Sequence, residues 1–172
     1  MGIVVSIHIA PEAAAAIQSV REVRAIAGIG LDGDRYAVGK GYWSPDRNVS
    51  RDLTLIEAEV VEEVARDDDA SLTPGDTRRN IATRGIRLNE LVGMFFRVGS
   101  VLCQGTRLCE PCRYLESVSG RKLLRGLVHR GGLRARLLSD GVIRVGDAIE
   151  PVGADSLELT EEFSPQIPPR SR

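Results

Sequence analysis

Short β-branched runs that alternate with glycine-rich turns confine this 172-residue chain to architectures made of many short strands. Residues 3–9 alternate around Ile and Val and read as a strand. Residues 11–16 read as a turn with a short helical piece, and 20–26 return to a period near two. Gly28, Gly30, Gly33, Gly39 and Gly41, with Ser44 and Pro45 behind them, mark loops in which the backbone needs unusual torsions or close approach. Residues 51–56 are extended again. Glu57 then opens a helical pattern on Val60, Val61 and Val64 that ends in Asp67-Asp68-Asp69, a solvated helix end without the glycine and spacing of a calcium loop. Thr73-Pro74-Gly75-Asp76 predicts a turn, and 79–83 a short strand. Leu88 to Gly93 predicts a helical turn closed by glycine.

Further along, 95–108 is an extended stretch with a hairpin expected at Gly99-Ser100, and 115–129 carries one or two short helices split at Gly120. Residues 133–149 predict two strands joined by an Asp140-Gly141 hairpin. Many strands with few helices give a mainly β, barrel-like α+β fold with helices at its periphery. The alternation of strand and helix is too irregular for a doubly wound sheet. One domain is expected over 1–152. Residues 153–172, which lose all periodicity and end in Pro168-Pro169-Arg170-Ser171-Arg172, are expected to form a flexible tail.

Composition narrows the function classes. Lys and Arg (23) nearly balance Asp and Glu (24), so no basic surplus exists for a nucleic-acid partner. No apolar run approaches the ~20 residues of a membrane-spanning helix, and residues 1–5 lack the pattern of a secretory signal. The three cysteines are an odd number and all fall between 103 and 112. That is a poor disulfide framework, and a reducing cytoplasm is the expected compartment.

The cysteines nonetheless suggest chemistry. Cys109-Glu110-Pro111-Cys112 can be half of a zinc site, a redox dithiol, or one working cysteine beside a bystander. Zinc needs two more ligands from Cys103, His8 and His129, and a redox dithiol lacks its βαβ setting. Cys103, inside an apolar extended stretch, reads as a small buried residue. Cys112 follows Pro111 and precedes Arg113 at an expected strand-to-helix junction, where a helix N-terminus and a cation both favour the thiolate. Three basic segments, Gly33-Asp34-Arg35, Arg78-Arg79-Asn80 and His129-Arg130-Gly131-Gly132, are each ordinary surface features alone. Together they suit a phosphate, because arginine offers a planar fork to oxyanions and glycine lets backbone N–H groups converge. No nucleotide-binding glycine motif is present. His129 reads either as a structural histidine or as an acid/base near the thiol.

The order of blocks then carries a resemblance. Gly30-Leu31-Asp32-Gly33-Asp34-Arg35 is followed by Arg51-Asp52-Leu53-Thr54-Leu55-Ile56-Glu57, by Arg79-Asn80-Ile81-Ala82-Thr83-Arg84-Gly85-Ile86 and by Phe96-Arg97-Val98-Gly99. Cys109-Glu110-Pro111-Cys112, Arg130-Gly131-Gly132-Leu133 and Gly141-Val142-Ile143-Arg144-Val145-Gly146-Asp147 complete the series. From the first strand to about residue 150 the chain resembles the MOSC domain, named for the C-terminal domain of molybdenum cofactor sulfurases.

The resemblance implies a β-rich barrel-like fold and a family cysteine at Cys112. In relatives that bind molybdenum cofactor, this cysteine ligates the metal and N-hydroxylated compounds are reduced. In sulfurases the domain receives or presents sulfur. On the first implication Cys112 is both catalytic residue and metal ligand, and Arg35, Arg79, Asn80, Arg113, Arg130 and Gly131 contact the cofactor. On the second, Cys112 carries a persulfide. The chain is too short to hold a pyridoxal-phosphate domain, so PLP is not expected on it and sulfur must come from a cysteine desulfurase partner. The reductive activity needs a redox partner and a small-molecule substrate. Two departures stand out: Tyr36 occupies a position where many relatives have His, and Arg78-Arg79-Asn80 replaces a Gly-Glu-Asn block. Two other classes remain open, a non-catalytic module for a phosphorylated ligand or cofactor and a zinc-stabilised structural domain. The first tolerates loss of Cys112, and the second needs Cys109 and Cys112 equally.

Overall fold

The computed structural model describes residues 1–45, 51–67 and 71–153. Its elements in chain order are β1 (Gly2–Ile9), β2 (Gln18–Val20), β3 (Glu22–Ile26), β4 (Gly30–Leu31), β5 (Leu53–Glu57) and α1 (Ala58–Asp67). They continue with β6 (Ile81–Arg84), β7 (Phe95–Val98), β8 (Val101–Leu108), α2 (Arg113–Ser119), α3 (Leu124–Leu127), β9 (Leu133–Leu137), β10 (Gly141–Arg144) and β11 (Ala148–Val152). Short 3₁₀ turns lie at Pro74–Thr77 and Leu88–Leu91.

Seven strands close on themselves in the order β11-β7-β8-β9-β5-β6-β1, and β1 returns to β11 through Gly2 opposite Ile149 and Ile3 opposite Ala148. Closure leaves the ring without unpaired edges, the hazard of an open sheet. β2 extends β1 outside the ring, and β10, β3 and β4 form a separate three-stranded sheet. The expected mainly β barrel with helices at the rim is the architecture found. Alternation along the strands divides the core in two. Leu55 and Ile81 face a barrel interior shared with Ile7, Phe96, Leu133 and Ile149. Their neighbours Ile56 and Ala82 face outward to a second cluster, where Val61 and Val64 of α1 meet Leu115 of α2 and Leu127 of α3. Cys112 packs against that outer cluster. The site therefore forms where the helical layer meets the barrel wall.

One glycine shows how tightly the wall is built. Gly132, at φ +106°, lies against the Leu55 carbonyl so closely that any side chain would collide with backbone.

Three expectations are corrected. The stretch 20–26 is not one strand: β2 and β3 divide at Arg21 and join different sheets. Residues 11–16 hold a turn and no helix, with Ala14 in the left-handed region at φ 61°. Residues 133–149 enter three strands rather than two, and Asp140-Gly141 does not make a hairpin. β9 lies between β8 and β5, whereas β10 pairs with β3, Ile143 opposite Val23. The Asp140 carboxylate accepts the Ala27 N–H at 2.8 Å, which steers the chain away from β9 and onto the second sheet. The hairpin at Gly99-Ser100 forms as expected, with Val98 opposite Val101. Asp68 and Asp69 of the acidic helix end lie outside the described residues, as does the expected tail beyond Gly153. No helix among the described residues is long and apolar enough to cross a membrane.

Candidate functional site

Local sequence places the thiol. β8 ends at Leu108, and the Cys109 N–H donates to the Gly132 carbonyl at 2.7 Å, which pins the segment to the start of β9. Pro111 cannot extend a ladder, and Cys112 follows in an extended conformation (φ −141°, ψ 164°) as the residue that enters α2. Gly120, left-handed at φ 66°, ends that helix. Cys112 is half-buried, whereas Cys103 and Cys109 are buried. Burial pushes the Cys103 thiol up to about 12, so it is protonated and inert. Of the three thiols, Cys112 is the one open to reagents.

Beside it lies a cleft of about 540 Å³, its solvent mouth included. Arginine dominates the lining: Arg35, Arg51, Arg78, Arg79 and Arg134 all border it. Three of these are buried, Arg35, Arg78 and Arg79. Their environments differ. Arg35 donates to Asp34 Oδ1 at 3.1 Å and to the Arg78 carbonyl at 2.9 Å, with Tyr36 beneath its guanidinium. Arg79 spends its donors on backbone: Nε on the Gly131 carbonyl at 2.9 Å, and the two terminal nitrogens on the carbonyls of Thr77 at 3.1 Å and Cys109 at 2.7 Å.

Arg78 sits left-handed at φ 57° after the 3₁₀ turn that Thr73 and Asp76 initiate by hydrogen bonding. One terminal nitrogen donates to the Ala15 carbonyl at 2.9 Å. The other is buried without a partner. Burial, then the Arg35 charge, lower the Arg78 pKa. Arg134 of β9 likewise has a buried nitrogen with no partner. A buried unpaired donor costs roughly 1–3 kcal/mol, more when charged. A site that concentrates such donors is poised to receive an anion.

One buried carboxylate, that of Asp34, offsets part of this charge. Asp34 is committed to Arg35 and to the N–H groups of Ala10 and Tyr36, both at 3.2 Å. Glu110 also borders the cleft, where it accepts the His129 N–H at 3.0 Å with the imidazole Nδ1 3.4 Å from its other oxygen.

The residues expected at a site separate accordingly. Cys112, Arg35 and Arg79 share the cleft. Asn80 stands behind it, its side-chain oxygen accepting from Thr54 N (3.2 Å) and Oγ1 (2.8 Å) and its nitrogen donating to the His8 carbonyl (3.2 Å). Gly131 supports Arg79 through its carbonyl, and its Cα lies against Cys109 and Pro111 too closely for a side chain. Arg113 is exposed and outside the lining. Arg130 donates to the Gly126 carbonyl at 2.7 Å and pairs with Glu63 at 2.8 Å, on a separate groove. Arg78, which the sequence offers as part of the basic Arg78-Arg79-Asn80 segment, lines the cleft, and so do Trp43, Tyr114 and Arg134, which the sequence reading passes over. For Arg134 a signal existed: in Leu133-Arg134-Ala135-Arg136-Leu137 the apolar positions face the core, so the arginines face the opposite side of the wall.

The zinc donor set does not converge. Cys103 is inside the barrel core, and both ring nitrogens of His8 contact serine hydroxyls, Ser6 at 2.8 Å and Ser19 at 3.2 Å. No group of three or more His, Cys, Asp or Glu among the described residues could hold a metal ion.

A closed seven-stranded barrel with a half-exposed thiol beside an arginine-rich cleft defines the class. The family follows from sequence: a model of the MOSC domain matches residues 32–150, and the chain belongs to the MOSC domain family. No curated protein matches it. Among solved structures, the YuaD protein from Bacillus subtilis superposes with a TM-score of 0.68 at 18% identity, covering 88% of this chain and 96% of that one. YiiM from Geobacillus stearothermophilus gives 0.68 at 15% identity over 89% and 76% of the two chains. YiiM from Escherichia coli gives 0.61 at 18% over 88% and 70%. At these identities the likeness is one of fold.

Proposed function

We propose that the cleft binds a phosphorylated molybdenum–pterin cofactor and that the protein uses it to reduce N-hydroxylated small molecules. One observation carries the reading: Arg78, buried with an unpartnered guanidinium nitrogen, lines the same cleft as the half-exposed Cys112 thiol. The donor set fits such a group. A thiolate is a soft metal ligand, and arginine forks match phosphate oxygens.

Cys112 would hold the metal, and Arg78, Arg134 and Arg35 would neutralise the phosphate. Arg79 positions the Cys109–Cys112 segment through its bonds to Cys109 and Gly131. Asn80 ties β6 to Thr54 and to β1, behind the cleft floor. When bound, the cofactor supplies a two-electron redox couple. Converting an N-hydroxyl compound to its amine consumes two electrons and two protons and releases water, so a redox partner must deliver the electrons. A reducing compartment such as the cytoplasm suits three free thiols.

Sulfur carriage, with a persulfide on Cys112 supplied by a desulfurase, uses the same thiol and would dock a cofactor on the same arginines, so co-purifying metal is what separates the two. A binding module without turnover leaves the exposed thiol without a role. The test is metal and pterin analysis of protein expressed with molybdate. Wild type should carry both, Cys112→Ser should lose the metal, and Arg78→Met should lose pterin. Protein that carries neither group, with a persulfide mass on Cys112, would replace this reading with sulfur carriage.

A further inference from the structure

The chain has only seven aromatic residues, and all three tyrosines and the single tryptophan gather at this cleft. Packing does not explain them, since Trp43 and Tyr42 keep 39% and 52% of their surface exposed. A loop is built to hold them there. Gly39 turns at φ 72°, and Gly41 lies flat on the Tyr36 ring, where any side chain would collide. The Gly41 N–H donates to Ser44 Oγ at 2.9 Å and the Ser44 N–H returns to the Gly41 carbonyl at 3.0 Å. Tyr42 then stacks on Tyr114 of α2, centroids 3.8 Å apart and planes 15° from parallel. Trp43 meets Tyr42 edge-on at 4.9 Å and 86°. The indole is thereby fixed from the side while it borders the cleft.

We propose that Trp43 is a stacking platform at the cleft mouth for a planar aromatic ring of the substrate, with Tyr42 as its positioning residue. The protein then selects planar N-hydroxylated compounds over saturated ones of equal size. This inference rests on the proposed function for the N-hydroxyl group alone; the preference for a flat ring comes from the aromatic wall. An aromatic face adds offset-stacking attraction to ordinary burial, and a saturated ring receives only the latter. Depth sorts the ligand's parts, because the unpaired Arg78 nitrogen is buried while Trp43 is open to solvent. A pterin ring has the same flat chemistry. The substrate is the source argued here because the exposed mouth is what each entering molecule must pass.

Trp43 is the only tryptophan, so its fluorescence reports the contact directly. The full-length protein is titrated with benzohydroxamate and with cyclohexanecarbohydroxamate, which share the N-hydroxyl group and differ in planarity. Benzohydroxamate should quench the emission saturably and bind at least fivefold more tightly than its saturated partner. By calorimetry, Trp43→Phe should keep that preference and Trp43→Leu abolish it, leaving the saturated probe unchanged. The ratio of the two affinities reads the ring contact alone, because both probes carry the same hydroxamate, and it therefore succeeds or fails separately from the metal and pterin analysis. Equal affinities for the two probes, or an undiminished preference in Trp43→Leu, would overturn the proposal. So would pterin-6-carboxylate that quenches Trp43 and displaces benzohydroxamate, since the platform would then hold the cofactor's ring.

Discussion

Arg78 and Arg79 are adjacent in sequence and both buried, yet they do opposite work. Arg79 gives three nitrogens to three backbone carbonyls, which belong to the turn before β6, the end of the β8 segment and the approach to β9. Arg78 satisfies one terminal nitrogen on Ala15 and keeps the other bare. One cation holds the cleft together and its neighbour is left for whatever enters.

Arg79→Met should therefore lower stability by about 3 kcal/mol, because it strands three buried carbonyls. Arg78→Met should stay within about 1 kcal/mol of wild type, since it replaces an uncompensated buried charge with an apolar chain of similar length. Urea unfolding midpoints at constant slope make the comparison. Equal losses would show that Arg78 is structural as well.

Limited alkylation with iodoacetamide at pH 8, followed by peptide mass mapping, should label Cys112 first. Cys103 should resist until unfolding, because its thiol is sealed in the barrel and pushed up to about 12. Cys109, also buried, should lag behind Cys112. Equal rates for all three would remove the case for a working thiol at α2.

His8 supplies a pH dependence. Burial lowers its pKa below the ordinary 6.5, against the opposing effect of the Asp76 carboxylate. The unfolded chain then binds the proton more readily than the folded one, so stability is full above about pH 6.5 and falls as pH drops toward the folded value. Thermal midpoints of wild type should decline between pH 7.5 and 5.5 more steeply than those of His8→Gln. Parallel slopes would mean that His8 does not titrate differently on folding.

Gly132→Ala should fail to give a stable barrel. The new methyl would strike the Leu55 carbonyl at a φ that L-residues avoid, and neither backbone can yield without breaking the pairing of β5 with β9. Soluble Gly132→Ala protein with a wild-type midpoint would show that the wall is looser here than the structure indicates.

Local features were readable and distant ones were not. β1, the β7–β8 hairpin, and the entry to α2 at Cys112 with its exit at Gly120 follow from neighbouring residues alone. The barrel likeness also came from block order. The partner of β10 did not, because Asp140-Gly141 has a strong local preference for a hairpin while the bond that overrides it comes from Ala27, 113 residues away. The arginines failed for the same reason. Arg79 is consumed by Gly131 and Cys109, which lie 52 and 30 positions distant. Arg130, similar in sequence context, is taken by Glu63, 67 positions away. Which guanidinium stays available depends on contacts no window of sequence contains.

The seam between β1 and β11 joins the second residue of the chain to the 149th. A ribosome making this protein must finish nearly all of the ring before its first strand can find the last. Until then the nascent chain exposes open strand edges to whatever surrounds it, and its exposure to misassembly is set by the time taken to translate that interval.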